Sequence, residues 1–261
     1  MVELLLRMPG PLAEVLVIAI AVALSLAGLA VVRRRVDVEA LRGGNEVAGV
    51  VYAIVGGMYA VLLAFVVVAV WEDFGHAEGH VETEVTGLGT LYRDAAVFPE
   101  PSRTEMRAAL REYTASVVDD EWPTMARGEP SPKTLAAYDR LWAACYRVDP
   151  GDGPRAAFFE QAVDRMGQVG ESRRARVLAS RSQVPSTLWV LLLAGGALIV
   201  AMTFVFGTEH ATVHRVSVAA LAAVVASVLF VTLALDRPFG AGITLSRHPY
   251  RELLAQWAVT P

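Results

Sequence analysis

Residues 47–71 read VAGVVYAIVGGMYAVLLAFVVVAVW and contain no charged side chain. A membrane core about 30 Å thick is crossed by roughly 20 apolar residues in a helix. This stretch therefore predicts a transmembrane helix. A fully buried helix of a soluble protein can be equally apolar, so the neighbouring stretches decide between the two.

Three further stretches have the same character, at residues 12–32, 186–206 and 216–235. The first holds Glu14 near its start, and the other two hold no charge. A soluble chain of 261 residues cannot bury four such helices. We expect the first stretch to be a membrane span and not a signal peptide, because its arginines, at 33–35, follow the apolar run instead of preceding it.

Residues 72–185 predict a helical soluble domain between the second and third spans. Apolar residues at helical spacing carry the second helix past the membrane, and Pro99 ends it. Further helices are expected after Ser102, after Ser131 and over residues 155–182, and no alternation typical of strands is present. The predicted fold is an all-α membrane protein with four transmembrane helices and a helical-bundle soluble domain inserted between the second and third. Its segments are a membrane hairpin at 1–71, the soluble domain at 72–185, a second membrane hairpin at 186–235, and a short tail at 236–261.

Composition excludes several classes of function. The net charge of −4 argues against a nucleic-acid partner, and the one cysteine, Cys145, excludes an internal disulfide. No phosphate-binding loop, nucleophile motif or Cys/His cluster is present, and the middle of each span carries no charge. We therefore expect no enzyme activity and no cofactor.

The second span carries small residues at helical spacing, in two neighbouring rows. They are Gly49, Ala53 and Gly57, and Gly56, Ala60 and Ala64. Such a stripe lets helix backbones approach closely in lipid. It could serve as packing within or between subunits, or it could line a pore, and the sequence leaves both interpretations open.

Polar residues flank the second span and follow the fourth. Asn45 and Glu46 precede the second span, Trp71 is its last residue, and Glu72 follows it. In a symmetric oligomer each acidic residue would form a ring, as in many cation pores, whereas in a monomer these residues are solvated caps. After the fourth span, Asp236, Arg237 and Pro238 predict a fixed corner at the membrane boundary, together with Trp71.

His76 and His80 lie four residues apart on the expected extension of the second helix. That spacing can bind a divalent metal, but paired surface histidines usually bind nothing.

Arginines near the membrane give two conflicting signals about orientation. The first span is followed by Arg33–Arg35, which favours placing that loop in the cytoplasm. The total count favours the opposite side, with eight arginines against five. The eight are Arg7, Arg173, Arg174, Arg176, Arg181, Arg237, Arg247 and Arg251, and the five are Arg33, Arg34, Arg35, Arg42 and Arg215. We expect a multi-pass protein of the cell membrane with both termini and the soluble domain in the cytoplasm.

Five short runs, in order, resemble the bestrophin-like domain family of bacterial and plant membrane proteins. They are Asn45-Glu46-Val47-Ala48-Gly49, Tyr-Ala-Val-Leu-Leu-Ala-Phe at 59–65, Trp71-Glu72, Glu121-Trp122-Pro123 and Leu235-Asp236-Arg237-Pro238-Phe239-Gly240. The resemblance implies a distant relation to bestrophins, pentameric ion channels with four membrane helices, cytoplasmic termini and a hydrophobic neck on the second helix. This chain departs from them in its short tail after the fourth span, so no calcium site is carried over. Anion selectivity is not carried over either, because the charges flanking the second span are mostly acidic.

Two hypotheses for function follow. The first is a homo-oligomeric ion channel, pentameric by resemblance, that passes small inorganic ions through a pore lined by the second span. Tyr59, Phe65 or their apolar neighbours would then form a hydrophobic gate. The alternative is a non-conducting membrane scaffold or regulator whose helical domain binds a soluble partner. A membrane-embedded enzyme ranks third, for want of catalytic residues.

Overall fold

The computed structural model describes residues 10–240 and 243–259. Every regular element among them is helical. Arg7, the beginning of the predicted first segment and the last two residues of the predicted tail lie outside the described residues. By internal contacts the described residues form two compact units, one built from 10–72 and 183–236 with Ile243, and one from 73–182, 237–240 and 244–259.

The first unit contains the apolar helices. They are α1 (Gly10–Arg35), the start of α3 (Asn45–Asp94), α8 (Ser186–Met202) and α9 (Ala211–Leu235), with the short α2 (Val38–Arg42) between the first two. Within residues 10–240 and 243–259, four helices are long and apolar enough to cross a membrane: α1, α3, α8 and α9. Their outward faces carry many exposed Leu, Ile and Val side chains. That surface suits lipid tails, as expected for a membrane protein.

Each predicted span coincides with one of these helices, with shifted ends. The helix predicted to start at 216 starts at Ala211, because its first turn is held by polar contacts that a count of apolar residues does not detect. The span predicted over 186–206 ends at Met202 and continues as a 3₁₀ turn over Thr203–Val205. The predicted continuation of the second span is confirmed, since α3 runs unbroken for 50 residues.

The packing inside the first unit centres on α1 and α9. Leu29 of α1 is buried against Val218 and Ala222 of α9 and Val200 of α8. Gly28 lies in contact with the ring of Phe204, where a Cβ would come within 2.8 Å of that ring. The missing side chain of Gly28 makes room for this ring, and such close packing at small residues stabilises membrane proteins, because hydrophobic burial supplies little energy in lipid.

The second unit is a bundle around the remainder of α3. Its other helices are α4 (Ser102–Ser116), α5 (Trp122–Met125), α6 (Pro132–Tyr146), α7 (Pro154–Ala179) and α10 (His248–Val259), with a 3₁₀ turn at Ala95–Val97 and a π turn at Val117–Glu121. The start of α6 is as predicted: Ser131 is its N-cap and accepts a hydrogen bond from the Thr134 N–H. These helices share one apolar core.

The predicted tail is part of that core. Trp257 of α10 is stacked on Tyr92 of α3, with ring centroids 4.4 Å apart, and its carbonyl accepts a hydrogen bond from Arg111 at 2.8 Å. Tyr250 of the same helix is fully buried. Helix α10 is therefore a structural element of the second unit, although the sequence predicts only a short tail.

Candidate functional site

One face of α3 is packed within the first unit, and its first contacts are made by Asn45. The Asn45 Nδ2 donates to the Gly207 carbonyl at 2.8 Å, and the Gly207 N–H donates to Asn45 Oδ1 at 2.9 Å. Further along, Gly49 and Tyr52 lie against Phe206, whose ring centroid is 5.8 Å from that of Tyr52. Asn45 thus fixes the turn that precedes α9.

The packed face continues through Gly56 to Tyr59. Gly56 lies beside Ile199 of α8. The Tyr59 hydroxyl donates to the carbonyl of Leu192 at 3.0 Å. Its ring lies over Gly195 and Gly196, where added Cβ atoms would come within 2.6 Å and 2.9 Å of Tyr59. The two glycines of α8 therefore make the recess that holds this side chain.

The other predicted small residues of α3 lie on an exposed stripe, formed by Ala53, Gly57, Ala60 and Ala64. At about 100° per residue, these four fall within an arc of roughly 60°. A Cβ added at Gly57 would meet nothing within 4 Å. The six small residues of the second span are thus divided between a packed face, with Gly49 and Gly56, and an exposed stripe.

A second exposed stripe on α3 consists of large apolar side chains: Ile54, Val61, Phe65 and Val68. Phe65 is 72% exposed. At about 100° per residue, this bulky stripe lies roughly opposite the packed face of α3. The small stripe of Ala53, Gly57, Ala60 and Ala64 lies between the two around the helix. Phe65 and Tyr59, both expected as gate residues, therefore lie on different faces of α3.

The acidic residues at the ends of the span are exposed. Glu46 lies in the first turn of α3, in line with the small stripe. Glu72 lies in line with the bulky stripe, two helical turns beyond Phe65, which is about 10 Å along the axis.

The predicted corner residues divide between the two units. In the first unit, Asp236 accepts hydrogen bonds from the Val184 N–H at 2.8 Å and from Trp189 Nε1 at 3.3 Å. The side chain of Trp71 is exposed. Arg237 and Pro238 belong to the second unit, where the Pro238 carbonyl accepts a hydrogen bond from the Leu245 N–H.

His76 and His80 both lie on α3, His76 exposed and His80 partly buried. Over residues 10–240 and 243–259, no group of three or more His, Cys, Asp and Glu side chains is arranged to hold a metal ion. A two-histidine site at these positions stays a prediction.

The core of the second unit holds an ion cluster that the sequence analysis missed. Arg176 is 0% exposed and donates to Glu84 Oε2 at 2.8 Å and to Glu121 Oε2 at 2.9 Å. Arg173 donates to both carboxylate oxygens of Glu121, and the Tyr113 hydroxyl donates to Glu84 at 2.6 Å. Two carboxylates and two guanidinium groups balance in charge, as buried ions require.

Burial, and after it the charges of this cluster, shift the pKa values of Tyr113, Tyr250 and Arg176. Burial and then the Glu84 carboxylate raise the pKa of Tyr113 well above its usual range. Burial also raises the pKa of Tyr250, aided by Glu84 and opposed by Arg176, whose guanidinium lies 5.7 Å from the Tyr250 ring. For Arg176 burial acts to lower the pKa, but the carboxylates of Glu84 and Glu121, with Tyr250, hold it well above the ordinary value. Both phenols are therefore neutral, and Arg176 is charged, across the physiological pH range.

One sequence signal could have revealed the cluster. Met166, Val169, Arg173 and Arg176 recur every three to four residues on α7, so the two arginines continue its buried apolar face. Two of the eight arginines counted for orientation are thus core residues of the second unit and not surface charges.

Comparison with known proteins places this arrangement in a family. The sequence profile described as Bestrophin-like domain matches residues 19–250. Among solved structures, a point mutant of a bacterial bestrophin homologue from Klebsiella pneumoniae superposes with a TM-score of 0.72 at 13% identity, covering 92% of this chain and 99% of that one. A structure described only as a membrane protein variant gives a TM-score of 0.71 at 14% identity, with 92% and 97% covered. A second Klebsiella mutant gives 0.70 at 13% identity, with 94% and 97% covered. At such identities the superpositions indicate a shared fold, and no curated protein matches the sequence.

Proposed function

Since this chain belongs to the bestrophin-like domain family, we propose that it is a homo-oligomeric ion channel whose pore is lined by α3. The observation that carries the proposal is the bulky stripe. It is free of charge along the span, it lies opposite the face packed within the same chain, and it ends at an exposed carboxylate. A membrane helix arranged in this way can line an axial pore when several copies surround one axis.

The two exposed stripes of α3 suggest different roles in such a ring. The small stripe lies beside the bulky one, where the neighbouring subunit would be, and small residues permit close helix contact. The bulky stripe points away from the chain's own packing and would face the axis. Of the residues predicted for the pore, this assigns Phe65 and Glu72 to the lumen and Ala53, Gly57, Ala60 and Ala64 to the contact between subunits.

Phe65 is the proposed gate. A ring of phenylalanine side chains narrows a pore and expels water from it, so an ion must lose hydration to pass. Val61 and Val68, one turn away on either side, would extend this hydrophobic constriction.

The ends of the pore would be acidic. Copies of Glu72 would form a carboxylate ring about two turns from the gate, and copies of Glu46 a second ring at the other end of the span. Because rings of Asp or Glu favour cations, we propose cation preference. Asn45, bonded to the turn before α9, would support the mouth without lining it.

The remaining features of the assembly follow the resemblance to bestrophins. We propose a pentamer, with the second unit as a soluble domain on the cytoplasmic side together with both termini. The arginine count gives little support for this orientation once Arg173 and Arg176 are removed from it, so it rests on the resemblance.

Flux from liposomes containing the purified oligomer tests the gate. Phe65→Ala should raise potassium flux, by about tenfold if the change lowers the barrier by about 1.4 kcal/mol. The matched control is Leu24→Ala. Leu24 is a similarly exposed apolar residue, but it lies on α1, so its substitution should leave the flux unchanged. Equal effects of the two substitutions would contradict the assignment of Phe65.

A second variant tests the acidic ring. Glu72→Gln should reduce the preference for potassium over chloride without abolishing flux, because the ring loses its charge but keeps its size. Unchanged selectivity would remove Glu72 from the pore.

A further inference from the structure

His214 connects three segments of the first unit at the end where α1 finishes. Arg33 Nη2, in the last turn of α1, lies 2.8 Å from His214 Nδ1. The other ring nitrogen, Nε2, lies 2.9 Å from the carbonyl oxygen of Thr203, just after α8. The same Arg33 nitrogen donates to the Thr208 carbonyl at 3.3 Å, and His214 is 7% exposed.

These hydrogen-bond partners determine the protonation state and the tautomer of the His214 imidazole. A guanidinium group can only donate hydrogen bonds, so Nδ1 must accept and carries no proton. A carbonyl can only accept, so Nε2 must carry the proton and donate to Thr203. The contacts therefore require a neutral His214 of one tautomer.

Protonation of His214 would remove one of these contacts. The new Nδ1–H would point at the Arg33 guanidinium, so a hydrogen bond would be replaced by two donors and two positive charges at 2.8 Å. The other charged or titratable groups of this turn are Glu209, His210 and Arg215. Glu209 is paired with Arg42 at 2.6 Å, and His210 precedes His214 by one helical turn.

From this geometry we propose that Arg33, His214 and the carbonyls of Thr203 and Thr208 form an acid-sensitive clamp. At neutral pH the clamp ties the end of α1 to the loop between α8 and α9. When acidification adds a proton to His214, the clamp opens and the loop separates from α1. The inference goes beyond the proposed function and does not depend on whether the protein conducts ions.

Thiol labelling of the full chain measures the opening. A cysteine introduced by Thr208→Cys reports on the loop. One introduced in a separate variant by Lys133→Cys, an exposed position of the second unit, corrects for the effect of pH on thiol reactivity. The native Cys145 is buried. The labelling rate of the loop cysteine, divided by that of the reference cysteine, should rise by roughly tenfold when the pH falls from 7.5 to 5.5. A tenfold change corresponds to about 1.4 kcal/mol, which is close to the free energy of one hydrogen bond to a charged group.

His214→Gln is the matched control. A glutamine can accept from Arg33 through Oε1 and donate to Thr203 through Nε2, but it cannot be protonated in this range. In that background the ratio should stay low at both pH values, and in His214→Ala it should be high at both. A ratio in the native background that does not change with pH, or one that rises equally in His214→Gln, would overturn the proposal.

Discussion

Arg176→Met should destabilise the protein severely, because it removes the central cation of the buried cluster. Arg176 makes hydrogen bonds of 2.8 Å and 3.2 Å to Glu84 and one of 2.9 Å to Glu121, and none of the three side chains is exposed. Methionine fills a similar volume, so the main loss is electrostatic. Arg173 still pairs with Glu121, which leaves one buried carboxylate without a counter-charge.

The expected cost follows from that single unpaired charge. Breaking a buried pair by removing one partner costs about 3–5 kcal/mol. For a chain of this size the corresponding fall in melting temperature is about 6–20 °C. Thermal unfolding of the full chain in detergent, followed by tryptophan fluorescence, measures this fall.

Two further variants separate charge from packing. Arg140→Met removes an exposed ion pair with Glu112 and should cost less than about 1 kcal/mol. The double variant of Glu84→Gln with Arg176→Met removes one charge of each sign, so it should recover much of the loss. If Arg176→Met shifted melting no more than Arg140→Met, or if Glu84→Gln gave no recovery, the electrostatic account of the cluster would be refuted.

Three other predictions concern packing, pH and the turn before α9. Gly195→Ala should cost about 1–3 kcal/mol, because its Cβ would overlap the Tyr59 ring. Gly57→Ala, whose Cβ would meet no atom of its own chain, should leave the subunit fold unchanged; thermal melting compares the two. Because folding raises the pKa values of Tyr113 and Tyr250, the folded state binds their phenolic protons more tightly than the unfolded state does. The contribution of these two groups to the free energy of unfolding should therefore be complete below about pH 10 and decrease above it. Alkaline unfolding followed by phenolate absorbance measures this decrease. Asn45→Ala loses two hydrogen bonds and should cost about 1–3 kcal/mol in the same melting assay. Asn45→Asp keeps one of them but sets a carboxylate oxygen against the Gly207 carbonyl, so it should also destabilise the protein.

The membrane helices could be predicted from the sequence because an uncharged run of bilayer length has few alternative structures. The continuation of α3 beyond residue 71 could also be predicted from the sequence, because Val81, Leu88 and Leu91 repeat at helical spacing. All three are buried. Such signals are local, and each one lies within a single helix.

The division of the second span could not be predicted, because it depends on partners distant in sequence. Gly56 and Gly57 are adjacent and chemically identical, yet only Gly56 lies beside Ile199 of α8. Tyr59 and Phe65 are both aromatic, but the glycine pair of α8 receives Tyr59 alone. The faces of α3 are therefore set by the recesses of another helix.

The ion cluster was hidden for a related reason. An arginine is ordinarily a surface residue, so Arg173 and Arg176 were counted among the charges near the membrane. Their burial becomes evident only when Glu84 of α3 and Glu121 of the π turn are seen to supply matching carboxylates.

Ion flux from liposomes that hold the purified, oligomeric protein tests the central claim most directly. Potassium, sodium and chloride gradients are imposed separately, and protein-free liposomes give the background. A pore lined by α3 with carboxylates at its ends predicts flux of potassium and sodium well above that of chloride. Absence of flux for all three ions, from a folded oligomer, would contradict the account and favour a non-conducting scaffold.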